Sequence, residues 1–158
     1  MKIEWKKLII SVLIPLAVGG LSALLTSGSM QDFADINKPP LSPPAWLFPV
    51  VWTILYVLMG IGAALVYNRK DFKPEETRNA LIIYAVNLAL NFFWSIIFFN
   101  LEAYLFAFIW LVALWIVIIA MIISFRKVSP VAAYLQIPYL LWVTFAGYLN
   151  LAIFILNG

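Results

Sequence analysis

KPPLSPPAWLFPVVWTILYVLMGIGAALVY, residues 38–67, decides the fold. The second part, residues 46–67, is apolar and uncharged, and roughly 20 such residues suffice to cross the hydrocarbon of a bilayer as a helix. The first part carries two Pro-Pro pairs, Pro39-Pro40 and Pro43-Pro44. Proline lacks a backbone N–H and has a fixed φ, so this loop is stiff and is neither helix interior nor central strand. Ser42 before Pro43 reads as a helix start, a hydroxyl cap followed by proline at the first helical position. At 100° per residue the helix that follows sets Pro49, Trp52, Thr53 and Tyr56 on one face, beneath a loop able to serve as a lid.

The same pattern recurs along the chain. Its 158 residues are 65% hydrophobic and 11% charged, with a mean hydropathy of +1.02, a balance foreign to soluble domains. Residues 8–25, 80–99, 104–125 and 131–156 are four further apolar runs. Backbone groups in lipid must be satisfied internally, so the runs are helices. Pro74 followed by Glu75 and Glu76 opens the third, and Ser129-Pro130 opens the fifth. Asn100 and Glu102 mark a tight turn between the third and fourth. Short connections make sequential helices antiparallel neighbours. The expectation is an all-α membrane protein, a five-transmembrane-helix bundle forming one domain over residues 1–158 with the Pro-rich first loop as its lid.

Charge orients this bundle. Lys2, Lys6, Lys7, Arg69, Lys70, Lys73, Arg78, Arg126 and Lys127 fall on one side and Lys38 on the other, nine of the ten basic residues against one. The basic side is expected in the cytoplasm, which puts the N-terminus inside and the first loop and C-terminus outside a cell membrane. The apolar run after the basic N-terminus is long and no A-x-A site follows it, so the first helix reads as retained and not as a cleaved leader. No basic patch on a folded face invites nucleic acid.

The chain has no Cys and no His. Disulfides, thiolate metal sites, cysteine nucleophiles and histidine acid–base chemistry are excluded, and so is the commonest axial haem ligand. No metal site and no required cofactor are expected, and a flat ring system bound here would be held by its faces and edges.

Helix 3 gathers Asn87, Asn91, Trp94 and Phe98 on one stripe. Two amides on one stripe of a membrane helix face protein or a cavity. They either glue helices together by hydrogen bonds or supply a polar handle in a ligand pocket. Helix 5 gathers Pro138, Trp142, Phe145 and Leu149, and Pro138 is expected to kink it. Trp142 lies too far from either helix end for an interfacial belt, whereas Trp5 and Trp46 suit one. Trp110 and Trp115 read as lipid-facing or packing residues. Gly19-x-x-x-Ala23, Gly60-x-x-x-Ala64 and Ala85-x-x-x-Ala89 allow close helix approach. Helices 2, 3 and 5 thus each offer an aromatic-rich inner stripe, and a flat apolar ligand with polar edges suits a cavity between them.

Three blocks, in order along the chain, resemble the signature of the TspO/translocator-protein family, the tryptophan-rich sensory proteins related to the peripheral benzodiazepine receptor. They are the Lys38 to Tyr56 segment, Asn91-Phe-Phe-Trp94-Ser-Ile-Ile-Phe-Phe99, and Pro138-Tyr-Leu-Leu-Trp142-Val-Thr-Phe-Ala146-Gly-Tyr-Leu-Asn150. The resemblance implies an integral membrane receptor or sensor for porphyrins, with protoporphyrin and haem precursors foremost, and sterols as a further ligand class. It implies a pocket roofed by the first loop and lined by Pro43, Pro44, Phe48, Trp52, Tyr56, Asn87, Asn91, Trp94, Phe98, Trp142, Phe145 and Ala146. It also implies a homodimer, with Ala85 and Ala89 on helix 3 as the favoured contact. The chain departs from the family pattern at Asp32 and Phe33, where Trp-Tyr is frequent, at Leu41 in place of Trp and at Ile96 in place of Pro. Two other functions stand beside the sensor. One is light-dependent porphyrin degradation, with Trp52 and Trp142 as the catalytic indoles. The other is passive carriage of tetrapyrroles or sterols; no paired broken helices or intramembrane charges support energy-coupled transport.

Overall fold

The computed structural model describes residues 4–29, 36–44 and 46–157, and within them every regular element is helical. These are α1 (Trp5–Thr26), α2 (Leu47–Tyr67), α3 (Pro74–Ser95), α4 (Tyr104–Val128), the short α5 (Pro130–Tyr134) and α6 (Ile137–Asn157). A 3₁₀ turn, Ser27–Ser29, closes α1, and a π turn, Ile96–Asn100, extends α3. With the π turn added to α3, and α5 joined to α6, five segments of 21 to 28 residues are long and apolar enough to cross a membrane. Lys2, Asp32 and Phe33 lie outside the described residues.

Local chemistry sets most of the helix ends. Pro74 opens α3 with Glu75 and Glu76 in its first turn, where the helix dipole favours acids. Arg126 and Lys127 occupy the last turn of α4. Ser129 caps α5, its hydroxyl accepting from the Ala132 N–H at 3.3 Å, and Pro130 follows in the first turn. Glu102 holds a φ of 50° in the turn between α3 and α4. One expected start is corrected. Ser42 does not cap α2, which opens at Leu47; the Ser42 hydroxyl donates instead to the Pro39 carbonyl at 2.7 Å. A residue that precedes proline is pushed out of the α region, so Pro43, followed by Pro44, cannot begin a helix.

Close packing fixes how the helices meet. A Cβ on Gly60 would lie 2.7 Å from the Ser11 carbonyl oxygen and equally crowd the Val12 backbone, so α1 and α2 touch at this position because no side chain intervenes. Ser11 fastens the crossing by donating its hydroxyl to the Gly60 carbonyl at 2.7 Å. Gly19, on α1, receives the ring of Tyr56. By contrast Ala85 and Ala89 are exposed on the outer face of α3. The central core is built from Met59 and Val66 of α2, Leu114, Ile118, Met121 and Phe125 of α4, and Tyr139 and Val143 of α6, all at most 1% exposed.

The fifth span is broken, as proline requires. Pro138 offers no N–H to the Tyr134 carbonyl, and the chain turns at Leu135 and Gln136 between α5 and α6. The freed turn is used. Gln136 is fully buried and its amide donates to the Leu58 carbonyl of α2 at 3.1 Å. Gly62 makes room for that amide; a Cβ there would also press on the Ala132 carbonyl at 3.3 Å and the Phe125 ring at 3.4 Å.

Candidate functional site

The amides and phenols of three helices form one directed chain of hydrogen bonds. The Tyr56 hydroxyl of α2 donates to Asn91 Oδ1 of α3 at 2.9 Å. Asn91 Nδ2 donates to the Tyr139 hydroxyl of α6 at 2.8 Å. Tyr139 in turn donates to Asn87 Oδ1 at 2.6 Å. All four side chains are buried. The chain ends at Asn87 Nδ2, a buried donor without an acceptor among the described residues.

Aromatic rings stand around this polar floor. Trp52 stacks on Tyr56 with centroids 5.6 Å apart and presents an edge contact to Tyr139 at 6.2 Å. Phe48 meets Trp142 at 5.8 Å, Trp142 meets Phe145 at 5.7 Å, and Phe145 meets Tyr148 at 6.1 Å. The ladder continues into the first loop, where the Tyr148 hydroxyl donates to the Pro40 carbonyl at 2.7 Å. Phe48, Trp52, Trp142 and Phe145 are half-buried and keep part of their surface free, while Ala146 beneath them is buried. The indole N–H of Trp142 is buried and has no acceptor among the described residues.

Trp94 and Phe98 belong to a second cluster towards the turn between α3 and α4. They stack at 5.2 Å, and Phe98 also lies against Tyr104 at 5.0 Å. Trp94 Nε1 donates to Asn150 Oδ1 at 3.0 Å, and Asn150 Nδ2 donates to the Tyr104 carbonyl at 2.8 Å. Trp94 packs against both clusters and joins them.

Two expected faces turn out rotated. On α2, Pro49 and Thr53 are exposed, and Thr53 donates its hydroxyl to the Pro49 carbonyl at 2.7 Å. On α6, Pro138 is exposed; the innermost stripe is Tyr139, Val143, Ala146, Leu149, Asn150 and Ile153, with Trp142 and Phe145 flanking it. The reason is polar. Tyr139 and Asn150 must find partners inside the bundle because lipid offers none, so they take the centre. The Pro-rich loop is anchored over α6: the Asn37 N–H donates to Asn157 Oδ1 at 3.0 Å, and Asn157 Nδ2 donates to the Asn37 carbonyl at 2.8 Å. Pro43 is half-buried and Pro44 exposed.

The family model described as TspO/MBR family matches residues 11–156. The chain belongs to the TspO/MBR family. It is 39% identical over 143 residues to the tryptophan-rich protein TspO of Chlorobaculum tepidum, covering 90% of each chain. It is 37% identical to the protein of the same name from Archaeoglobus fulgidus, covering 96% of this chain and 97% of the relative. The translocator protein of Bos taurus is 34% identical over 92% of this chain and 87% of its own length. With five spanning segments and these membrane-protein relatives, the chain is a multi-pass membrane protein of a family of sensory and translocator proteins.

Three side chains that join these clusters were not among the expected site residues: Tyr139, Tyr148 and Asn150. Tyr139 and Asn150 had a signal. They are polar groups eleven residues apart in a largely apolar run, which is three turns and so the same face. Tyr84 shares α3 with Asn87 one turn away; its hydroxyl is a further buried group without a partner.

Proposed function

We propose that this protein binds porphyrins, or planar hydrophobes of the same kind with acceptor groups at their edges, between α2, α3 and α6. The observation that carries this is the pair of partnerless buried donors, Asn87 Nδ2 and Trp142 Nε1, set among half-buried indole and phenyl rings. An unsatisfied buried donor costs about 1–3 kcal/mol, and a carboxylate-edged macrocycle would recover that cost while its faces stack on Trp52, Phe48 and Trp142. The relatives named tryptophan-rich sensory protein and translocator protein support a ligand-reporting role. The chemistry needs no cofactor. Ring contacts between Phe48 and Trp142 and between Trp52 and Tyr139 part to admit the guest.

Titrating protoporphyrin against detergent-solubilised protein, with tryptophan quenching as the signal, tests this. Saturable binding is expected, weakened at least about tenfold in Trp142→Ala, as loss of a donor to a charged acceptor together with a stacking ring implies. Trp115→Phe should leave binding intact, since Trp115 bonds Thr144 away from the cluster. Absence of saturation below about 100 µM, an affinity of only about −5.5 kcal/mol, overturns the reading.

A further inference from the structure

A groove of about 400 Å³ runs along the outer face of α3 at the basic end of the bundle, remote from the aromatic site. Its mouth is formed by Tyr67, Lys70 and Arg78, and its floor by Leu81, Ile82 and Ala85. Arg78, Leu81, Ile82 and Ala85 are spaced by three, four and seven residues, so they share one helical face. The groove therefore passes from cations at the end of a spanning helix to apolar side chains about 10 Å further along it.

The mouth is electropositive by construction. Lys70 Nζ accompanies Tyr67, donating to its hydroxyl at 2.8 Å and standing 4.1 Å from its ring centroid. Lys7 Nζ lies 5.8 Å from the same centroid and is paired with Glu4 at 3.2 Å. Among the described residues neither Lys70 nor Arg78 forms an ion pair with a carboxylate. Asp71 and Glu4 are the acids near enough to act on Lys70, and the Tyr67 hydrogen bond first, then charge, raises its pKa and keeps the ammonium protonated.

We propose that this groove holds one anionic phospholipid of the adjoining leaflet, its phosphate against Lys70 and Arg78 and an acyl chain along Leu81, Ile82 and Ala85. Charge complementarity selects this occupant. A zwitterionic lipid would bring its own cation to Lys70 and Arg78. A two-fold contact with a second copy would bring a second set of the same cations. A free phosphate would leave the apolar floor unused.

Native mass spectrometry of the full chain released from detergent tests the proposal, with added phosphatidylglycerol or phosphatidylcholine of identical acyl chains. One phosphatidylglycerol per chain should be retained preferentially, each basic side chain contributing about fivefold. Lys70→Gln with Arg78→Gln should abolish the preference. Arg126→Gln with Lys127→Gln, an equal loss of charge at exposed positions of the same end, should keep it. Ala85→Trp, which fills the floor, should release the lipid, and glycerol phosphate should not compete. Equal retention of both lipids overturns the proposal, as do equal effects of the two charge pairs, effective competition by glycerol phosphate, or a lipid-free dimer that masks Ala85.

Discussion

Tyr139 is the residue on which the buried polar chain turns. Its hydroxyl accepts from Asn91 and donates to Asn87, so one oxygen serves two amides on α3 at once. Tyr139→Phe keeps the ring against Trp52 but strands both amides. Hydrogen bonds between membrane helices contribute about 0.6–2 kcal/mol because the unfolded chain in lipid also finds partners. Two bonds lost together place the expected destabilisation at about 1–4 kcal/mol. Thermal unfolding in detergent should show a lower midpoint for Tyr139→Phe, and an unchanged midpoint would remove the chain from any structural role. The sequence exposed Asn87 and Asn91 at once, since two amides in a membrane helix demand partners. Tyr139 is harder to place, since its phenol is apolar enough to pass for lipid-facing and only its eleven-residue spacing from Asn150 marks it as inward. The reading of Pro49, Thr53 and Pro138 as inward failed for a related cause. Each of these can satisfy its polar atom within its own turn or has no donor to satisfy, and so none is drawn to the centre.

At the scale of the element, the end of α3 shows how a departure from a motif can leave its geometry in place. The π turn Ile96–Asn100 begins at the one position where the family pattern carries proline and this chain carries isoleucine. The Ile96 N–H makes only a short-range bond to the Phe93 carbonyl, while Ile96's own carbonyl takes the Leu101 N–H at 3.1 Å. A proline here removes a poor bond, in contrast to the loss of about 3 kcal/mol it brings to a helix interior. Ile96→Pro is therefore expected to cost under about 1 kcal/mol, whereas Leu90→Pro in the middle of α3 should cost about 3 kcal/mol or abolish folding. Comparing thermal midpoints and yields of the two variants checks this; equal damage from both would mean that the helix at Ile96 is regular. The five spans themselves were legible because apolar length is a strong signal. Their rotations were not, because lipid and core select the same apolar residues and only the scattered polar atoms tell inside from outside.

Across the whole molecule, charge and polarity divide the two ends. Lys6, Lys7, Arg69, Lys70, Lys73, Arg126 and Lys127 gather where α1 begins, α2 passes to α3 and α4 passes to α5, and Lys73 closes that end by donating to the Lys127 carbonyl at 2.6 Å. At the opposite end Asn100 donates to the Leu25 carbonyl at 3.0 Å and the Asn37–Asn157 pair joins loop to helix. The far end of α1 is thus tied to the turn after α3, although α1 is the least enclosed of the spans, with 11% of its apolar window buried. If the basic end faces the cytoplasm, as lysine and arginine bias dictates, the aromatic ladder from Pro40 to Trp142 opens to the outer side and the groove at Lys70 and Arg78 to the inner leaflet. The absence of native cysteine makes this measurable residue by residue. Asp71→Cys and Glu102→Cys, at exposed positions of opposite ends, should label differently with a membrane-impermeant maleimide. Glu102→Cys should react in intact cells and Asp71→Cys only after permeabilisation. The reverse pattern would invert the molecule and turn the ladder inward, and labelling of both in intact cells would mean dual insertion, for which a nine-to-one partition of basic residues leaves little room.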